Sequence, residues 1–263
     1  MKKIFRAVLC AALCAVMLLG LCGCGGETYY KVIDTYSQDG SYAIAFRKDD
    51  KLCELVTAAL KELVANGTMK TTSYVWFGDN LVGMRGDEGA MDELWDEVGD
   101  RTLTVGVDIT NMPMSYESAD GYSGFDVDLA NYICGYLGYS LVIYPINPED
   151  VRVELASGNI DMAMGVPVTD ESDELSYSPT YLTSSYVLVA RVRGNVNSRS
   201  ALRGKTLGVA VTDIDILQED PKFVEKLGGI IYQTNTDGLF QALLNGEVDG
   251  ILVSSVVAAY YMK

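Results

Sequence analysis

From Thr102 to Lys263 the chain alternates short β-branched runs with amphipathic stretches, and this alternation limits the possible folds more than any other feature. Leu103–Val107, Leu141–Tyr144 and Ile160–Met164 read as strands, with helices over 126–137 and 149–157 between them. A second set follows: strands at Ser185–Arg191, Thr206–Val211, Gly229–Gln233 and Gly250–Val253, with helices from 213, over 236–245 and after 253. Strands separated by helix-length segments build parallel sheets covered by helices on both faces. Two such sets predict two α/β lobes.

The front of the chain has its own elements. Tyr29–Ile33 and Tyr42–Phe46 read as strands, separated by a turn at Ser37–Gly40. Leu52, Leu55, Val56, Ala59, Leu60 and Leu63 fall at the i, i+3, i+4 spacing of one buried helix face. Asp49 or Asp50 can cap that helix, and Asn66-Gly67 ends it. A short helix over 69–77 closes with Trp76-Phe77, read as core anchors. Residues 79–101 are rich in Gly, Asp and Asn and read as a bridge. Within it Met91, Leu94, Trp95 and Val98 share one face of a short acidic helix.

Residues 1–23 read as an export signal: Lys2, Lys3 and Arg6 precede a 15-residue apolar run, Ala7–Leu21. That run is short of the roughly 20 residues of a membrane-spanning helix. Leu21-Cys22-Gly23-Cys24 resembles the lipobox of bacterial lipoproteins, which implies a lipid on Cys24, residues 24–28 as a tether and a place on the extracellular face of the cell membrane.

The formal charge of the whole chain is −16, and the signal holds three basic residues and no acidic ones, which leaves −19 for the rest. A charge of that sign argues against nucleic acid, and against anionic membrane surfaces beyond the lipid anchor itself. With no histidine anywhere, Ser-His-Asp and Cys-His nucleophiles and His-based zinc sites are excluded. Cys53 and Cys134 remain past the signal and anchor, as two small apolar side chains or as a disulfide.

Several motifs together resemble the polar amino-acid family (family 3) of bacterial substrate-binding proteins. Gly106-Val-Asp108, Gly124-Phe-Asp-Val-Asp-Leu-Ala130, Leu155-Ala-Ser-Gly-Asn-Ile-Asp161 and Tyr177-Ser178 resemble its first lobe. Leu202-Arg-Gly-Lys-Thr-Leu-Gly-Val209, Leu243-Leu-Asn-Gly-Glu-Val-Asp-Gly250 and Ala258-Ala-Tyr-Tyr261 resemble its second. Residues 29–78 resemble its closing stretch, yet they come first. The resemblance implies a two-lobed, type II periplasmic-binding-protein-like α/β fold, each lobe a parallel-dominated sheet flanked by helices. The swapped order reads as a circular permutation cut in lobe two between Lys263 and Tyr29; a remnant domain fused to a truncated copy is the rival. On the first reading residues 29–263 form one solute-binding domain. Lobe one is 43–183, including the linker 79–101, and lobe two is 184–263 plus 27–42.

The resemblance also implies a hinged cleft that captures a small solute and passes it to an ABC permease, by a monomer without catalysis, cofactor or metal. Its ligand positions fall here on Asp108, Asn111, Met112, Gly165, Val166, Thr169, Ser172, Thr212, Asp213 and Ser254. Asn111 stands where the family stacks an aromatic on the ligand. Ser172 stands where it has an arginine for the α-carboxylate, and Ser254 where it has an aspartate for the α-ammonium. Thr212 and Asp213 replace small residues that offer amides to the carboxylate. The cleft therefore reads as suited to a small polar or amine-bearing solute, unless the alignment slips and Arg152 takes a carboxylate. Simpler roles compete: a strand-end cap for Asp108, core filling for Met112 and Met114, a helix cap for Asp213. A cleft enzyme such as a dehydratase, using Glu171 or Asp213, is the alternative function, as is a partner-binding lipoprotein without ligand.

Overall fold

Two five-stranded sheets, each wrapped by helices, divide the molecule. The computed structural model describes residues 29–167 and 174–263. The signal, Cys24 and its tether lie outside the described residues, as do Thr169, Glu171 and Ser172.

The front segment supplies β1 (Tyr30–Asp39), β2 (Tyr42–Arg47), α1 (Leu52–Ala65) and α2 (Thr68–Phe77). Lobe one continues with β3 (Thr102–Val107), a small hairpin β4 (Tyr116–Ser118) and β5 (Gly121–Ser123), α3 (Phe125–Leu137), β6 (Ser140–Pro145), α4 (Val151–Ser157), β7 (Met162–Pro167) and β8 (Leu175–Tyr177). Then come β9 (Ser185–Arg191), β10 (Thr206–Ala210), α5 (Ile214–Gln218), α6 (Pro221–Val224), β11 (Gly229–Gln233), α7 (Thr236–Asn245), β12 (Gly250–Ser254) and α8 (Ser255–Met262). The sheet orders are β6-β3-β7-β2-β8 in lobe one and β1-β9-β12-β10-β11 in lobe two.

Each sheet keeps a parallel nucleus and adds antiparallel partners. β3 runs parallel to β6 and β7, and β10 parallel to β11 and β12. β2 runs against β7 and β8, and β9 against β12 and β1. In each sheet four strands thus run the same way and one, β2 or β9, runs against them. The reason is mechanical: β2 and β9 enter their lobes from the crossing between lobes, where the parallel strands finish, so they run the opposite way.

The front segment contributes one strand to each sheet. Tyr30 fixes β1 to lobe two: its hydroxyl donates to the Phe240 carbonyl at 3.2 Å, and the two rings meet edge-on at 5.0 Å. The turn expected at Ser37–Gly40 is instead the end of this strand. β1 continues to Asp39 opposite Ser185, with irregularities between Val32 and Asp34 and between Thr35 and Asp39. Four steps along β1 from Thr35 to Asp39 face two along β9, so the turn-forming residues make a bulge that rejoins the ladder at Asp39.

The expected helix face of α1 is the buried one: Leu52, Leu55, Val56, Ala59, Leu60 and Leu63 are all in the lobe-one core. Asp50 accepts from the Leu52 amide at 3.0 Å, while Asp49 takes a positive φ of 57° before the helix. The short acidic helix expected in 79–101 is absent among the described residues; only a single 3-10 turn forms, Trp95–Glu97. Met91 is nonetheless fully buried, with Leu94 and Val98 packed beside it. Gly86 explains why the bridge hugs the lobe: a Cβ there would stand 2.4 Å from the Ala65 amide nitrogen. Cys53 and Cys134 are unbridged.

Two segments cross between the lobes, at 40–42 and 181–184. They bind each other: the Gly40 amide donates to the Ser184 carbonyl at 3.2 Å and the Tyr42 amide to the Leu182 carbonyl at 3.0 Å. α8 lies along the seam, with Val256 in the lobe-one core and Val257 and Ala258 in that of lobe two.

Candidate ligand-binding cleft

The cleft opens where the parallel strands of both lobes end, the position at which open α/β sheets bind ligands. Together with the solvent at its mouth it spans about 1050 Å³. From lobe one, the turn after β3 contributes Asp108, Thr110 and Asn111, the start of α3 contributes Asp126, and β7 contributes Gly165 and Val166. From lobe two come Thr212 and Asp213 after β10, Asn235 and Thr236 at the start of α7, and Ser254 at the end of β12. Tyr42 and Tyr186 enter from the two strands that leave the crossing.

Seven of the ten expected positions therefore line the cleft. Met112 does not; it sits at the seam, where its sulfur accepts from the Tyr261 hydroxyl at 3.3 Å. Thr169 and Ser172 lie outside the described residues. Arg152 is not a cleft residue: it pairs with Glu174 at 2.8 Å on an exposed surface. Met114 is buried in the lobe-one core, as core filling requires. Asp108 does cap its turn, accepting from the Thr110 amide at 2.9 Å and its hydroxyl at 2.7 Å. Asp213 makes no side-chain cap to α5.

Three carboxylates face this space. Asp126 is buried, and Tyr181 donates to its Oδ1 at 2.6 Å while the Gly165 amide donates to the Tyr181 hydroxyl at 3.0 Å. Burial raises the Asp126 pKa to about 7; the Tyr181 hydrogen bond opposes the rise and the charge of Asp108 adds to it. Asp213 accepts from the Tyr186 hydroxyl at 3.1 Å. Its pKa is pushed up to about 6, chiefly by burial, against hydrogen bonds from Tyr186 and Thr212. Burial also pushes the Tyr42, Tyr181 and Tyr186 hydroxyls up, so all three are neutral donors at pH 7.

No lysine or arginine lines the cleft among the described residues, and 168–173 contain none in sequence. Among the described residues no three acidic side chains gather closely enough to hold a metal ion. The carboxylates stand apart around the space. The lobes meet across it, the Thr236 amide donating to the Thr110 carbonyl at 3.3 Å, and Tyr42 donates to the Ser254 hydroxyl at 2.9 Å.

Sequence reasoning missed Tyr42, Tyr186 and Asp126. Tyr42 opens β2 and Tyr186 is the second residue of β9, both next to the crossing, positions visible only once the two lobes are joined. Asp126 is the acidic residue of Gly124-Phe-Asp, whose glycine has φ 136° and lets the chain pass against Met114.

Residues 103–249 match the model of the bacterial extracellular solute-binding proteins, family 3. The chain belongs to this family. The arginine-binding extracellular protein ArtP of Bacillus subtilis is 24% identical over 171 residues, 64% of this chain and 66% of that protein. Cyclohexadienyl dehydratase of Pseudomonas aeruginosa is 23% identical over 181 residues, 66% of each chain. Among solved structures, an ABC uptake transporter substrate-binding protein from Streptococcus pneumoniae with bound histidine is 26% identical. Its TM-score is 0.54, over 66% of this chain and 73% of that one. The match thus spans about two thirds of these curated family relatives. Residues 29–78 lie outside the family match, although they supply a strand to each sheet.

Proposed function

We propose that this protein is the solute-capturing component of an ABC importer and that its cleft takes a small organic cation, amine- or guanidinium-bearing, without a carboxylate. The observation that carries the reading is the set of Asp108, Asp126 and Asp213 around a cleft with no basic side chain. A carboxylate-bearing ligand would meet three acidic groups and no arginine fork. Two aspartates belong to lobe one and one to lobe two, so a cation held between them favours the closed cleft. Ser254 and Asn111, where the family places an ammonium-binding aspartate and a stacking aromatic, agree with an altered ligand. The separation of the carboxylates favours an extended organic cation over a metal ion. ArtP binds arginine and the pneumococcal protein was solved with histidine, so basic solutes are within the family's range.

The chain order supports a circular permutation with lobe two made from 184–263 and the strand at the front. The lipid on Cys24, which would hold the protein at the extracellular face of the membrane, is read from sequence alone. Retention of the protein in the membrane fraction, lost in Cys24→Ser, tests it.

Thermal melts with a diamine, arginine, histidine, glutamine and glucose test the solute. A ligand at 100 times its dissociation constant adds about 2.7 kcal/mol, or roughly 5–10 °C in a domain of this size. A shift with arginine, histidine, glutamine or glucose and none with a diamine refutes the reading. A second reading has one observation in its favour: carboxyl groups near pH 6–7 suit general acid-base catalysis, as a dehydratase needs. Turnover of a candidate hydroxy acid, lost in Asp126→Asn, would decide for it.

A further inference from the structure

The negative charge of the chain is not evenly spread. Residues 191–212 hold five basic side chains and no acidic one, although acidic residues outnumber basic ones 36 to 20 overall. The sheet register collects these residues at one end of lobe two. β9 finishes at Arg191, β10 starts at Thr206 and β11 at Gly229, all at the end of the sheet opposite the cleft. There the Gly204 amide donates to the Lys226 carbonyl and the Gly228 amide to the Lys205 carbonyl, both at 2.8 Å. These bonds hold the two loops edge to edge, so Arg203, Lys205 and Lys226 share a rigid platform. Lys222 is exposed on α6 nearby, and Lys31 reaches Asn197 from β1.

The acidic neighbours do not cancel this charge. Asp220 is engaged by Arg199, which is clamped over the rings of Tyr36 at 4.7 Å and Phe223 at 4.4 Å. Asp249 lies 3.5 Å from Lys205 in a partly exposed pair, a contact of little strength in water. Glu225 is the exposed acidic residue between Lys222 and Lys226. Arg191 is turned inward to the carbonyls of Leu243 and Val248.

The chain arrives at this same end. The Tyr29 carbonyl accepts from the Val192 amide at 2.8 Å. Five residue steps separate Tyr29 from Cys24, at most about 18 Å of extended chain. If Cys24 carries the lipid, the basic end is the part of the molecule that cannot leave the membrane.

We propose that this basic end of lobe two is a docking surface for anionic phospholipid headgroups. It turns the acidic body outward and stands the protein on the bilayer through lobe two. The net charge suggested no affinity for an anionic surface; the segregation of charge supplies one locally, because the field reaches only about 8 Å at physiological salt. A basic side chain close to such a leaflet strengthens binding about fivefold. The proposal rests on neither the solute nor the ABC partner, and the test below reads it whether or not Cys24 is lipidated.

The full chain, produced in a bacterial host, is mixed with phosphatidylcholine vesicles or with vesicles containing 30% phosphatidylglycerol, and its lysines are labelled with an amine-reactive ester. Labelling of Lys205, Lys222 and Lys226 is expected to fall several-fold on the anionic vesicles only and to recover in 0.5 M NaCl. Lys70 on α2 should not change. Arg203→Glu should weaken the protection, and Arg85→Glu, on the lobe-one bridge, should not. Equal labelling on both vesicles overturns the proposal. So does protection by soluble polyphosphate with none from phosphatidylglycerol, which would assign the surface to a free polyanion.

Discussion

Asp126 gives the sharpest prediction. A carboxyl raised from 3.8 to about 7 by burial makes the ligand-free protein less stable as pH rises. The stabilising form is the protonated one, fully present below pH 3.8 and lost as pH passes 7. The shift corresponds to on the order of 4 kcal/mol between those limits, an upper value because water can enter the cleft. Asp126→Asn removes the ionisation and keeps an oxygen for the Tyr181 hydroxyl. At pH 8.5 the variant should therefore melt several degrees above the wild type, and the gap should narrow as pH falls and close only near pH 4. Urea titrations at pH 5, 6.5 and 8.5 measure the difference directly, with unchanged m-values as the control. A bound cation should erase the wild-type pH dependence by holding the carboxylate ionised. If Asp126→Asn is less stable than wild type at pH 8.5, the carboxylate is satisfied by something other than the Tyr181 contact and the reasoning fails.

Asp213→Asn should weaken binding of the cationic ligand at least tenfold by calorimetry while leaving the melting temperature without ligand unchanged or raised. Because the Asp213 pKa is about 6, wild-type affinity for the cation should rise from pH 5 to pH 7 with release of protons, and buffers of different ionisation enthalpy report that release. Tyr42→Phe removes the hydroxyl that reaches Ser254; it should cost about 1 kcal/mol and enlarge the radius of gyration by small-angle scattering if it loosens closure. A rearranged chain that joins Lys263 to Tyr29 by a short linker and opens within 79–101 should fold and bind the same ligand; failure to fold would count against the permutation.

Much of the fold was legible because strands buried between helices show as plain apolar runs, and because α1 carries an unbroken stripe from Leu52 to Leu63. The end of β1 was not, since Ser37-Gln-Asp-Gly40 has the composition of a turn and only the partner strand, more than a hundred residues away, makes it extended. The bridge misled in the opposite sense: Met91, Leu94 and Val98 are spaced for a helix, but only the 3-10 turn Trp95–Glu97 forms, and tertiary packing buries Met91 without a helix. In the cleft, the lobe-end residues could be placed by motif, from Asp108 to Ser254. Tyr42 and Tyr186 could not, because a strand pattern does not tell which side chain faces a second lobe. Asp126 was hidden by its position in the first turn of a helix, where an acidic residue ordinarily faces water and the positive end of the helix.

The paired crossing at 40–42 and 181–184 has a mechanical consequence. Two extended strands laced by backbone bonds make a two-ply strip, stiff against sliding and pliable about a single line. Lobe one can nod over lobe two but can hardly skate across it. Any solute that draws Asp213 toward Asp108 must therefore do so along one arc, and the size of molecule that fits is fixed by where that arc comes to rest.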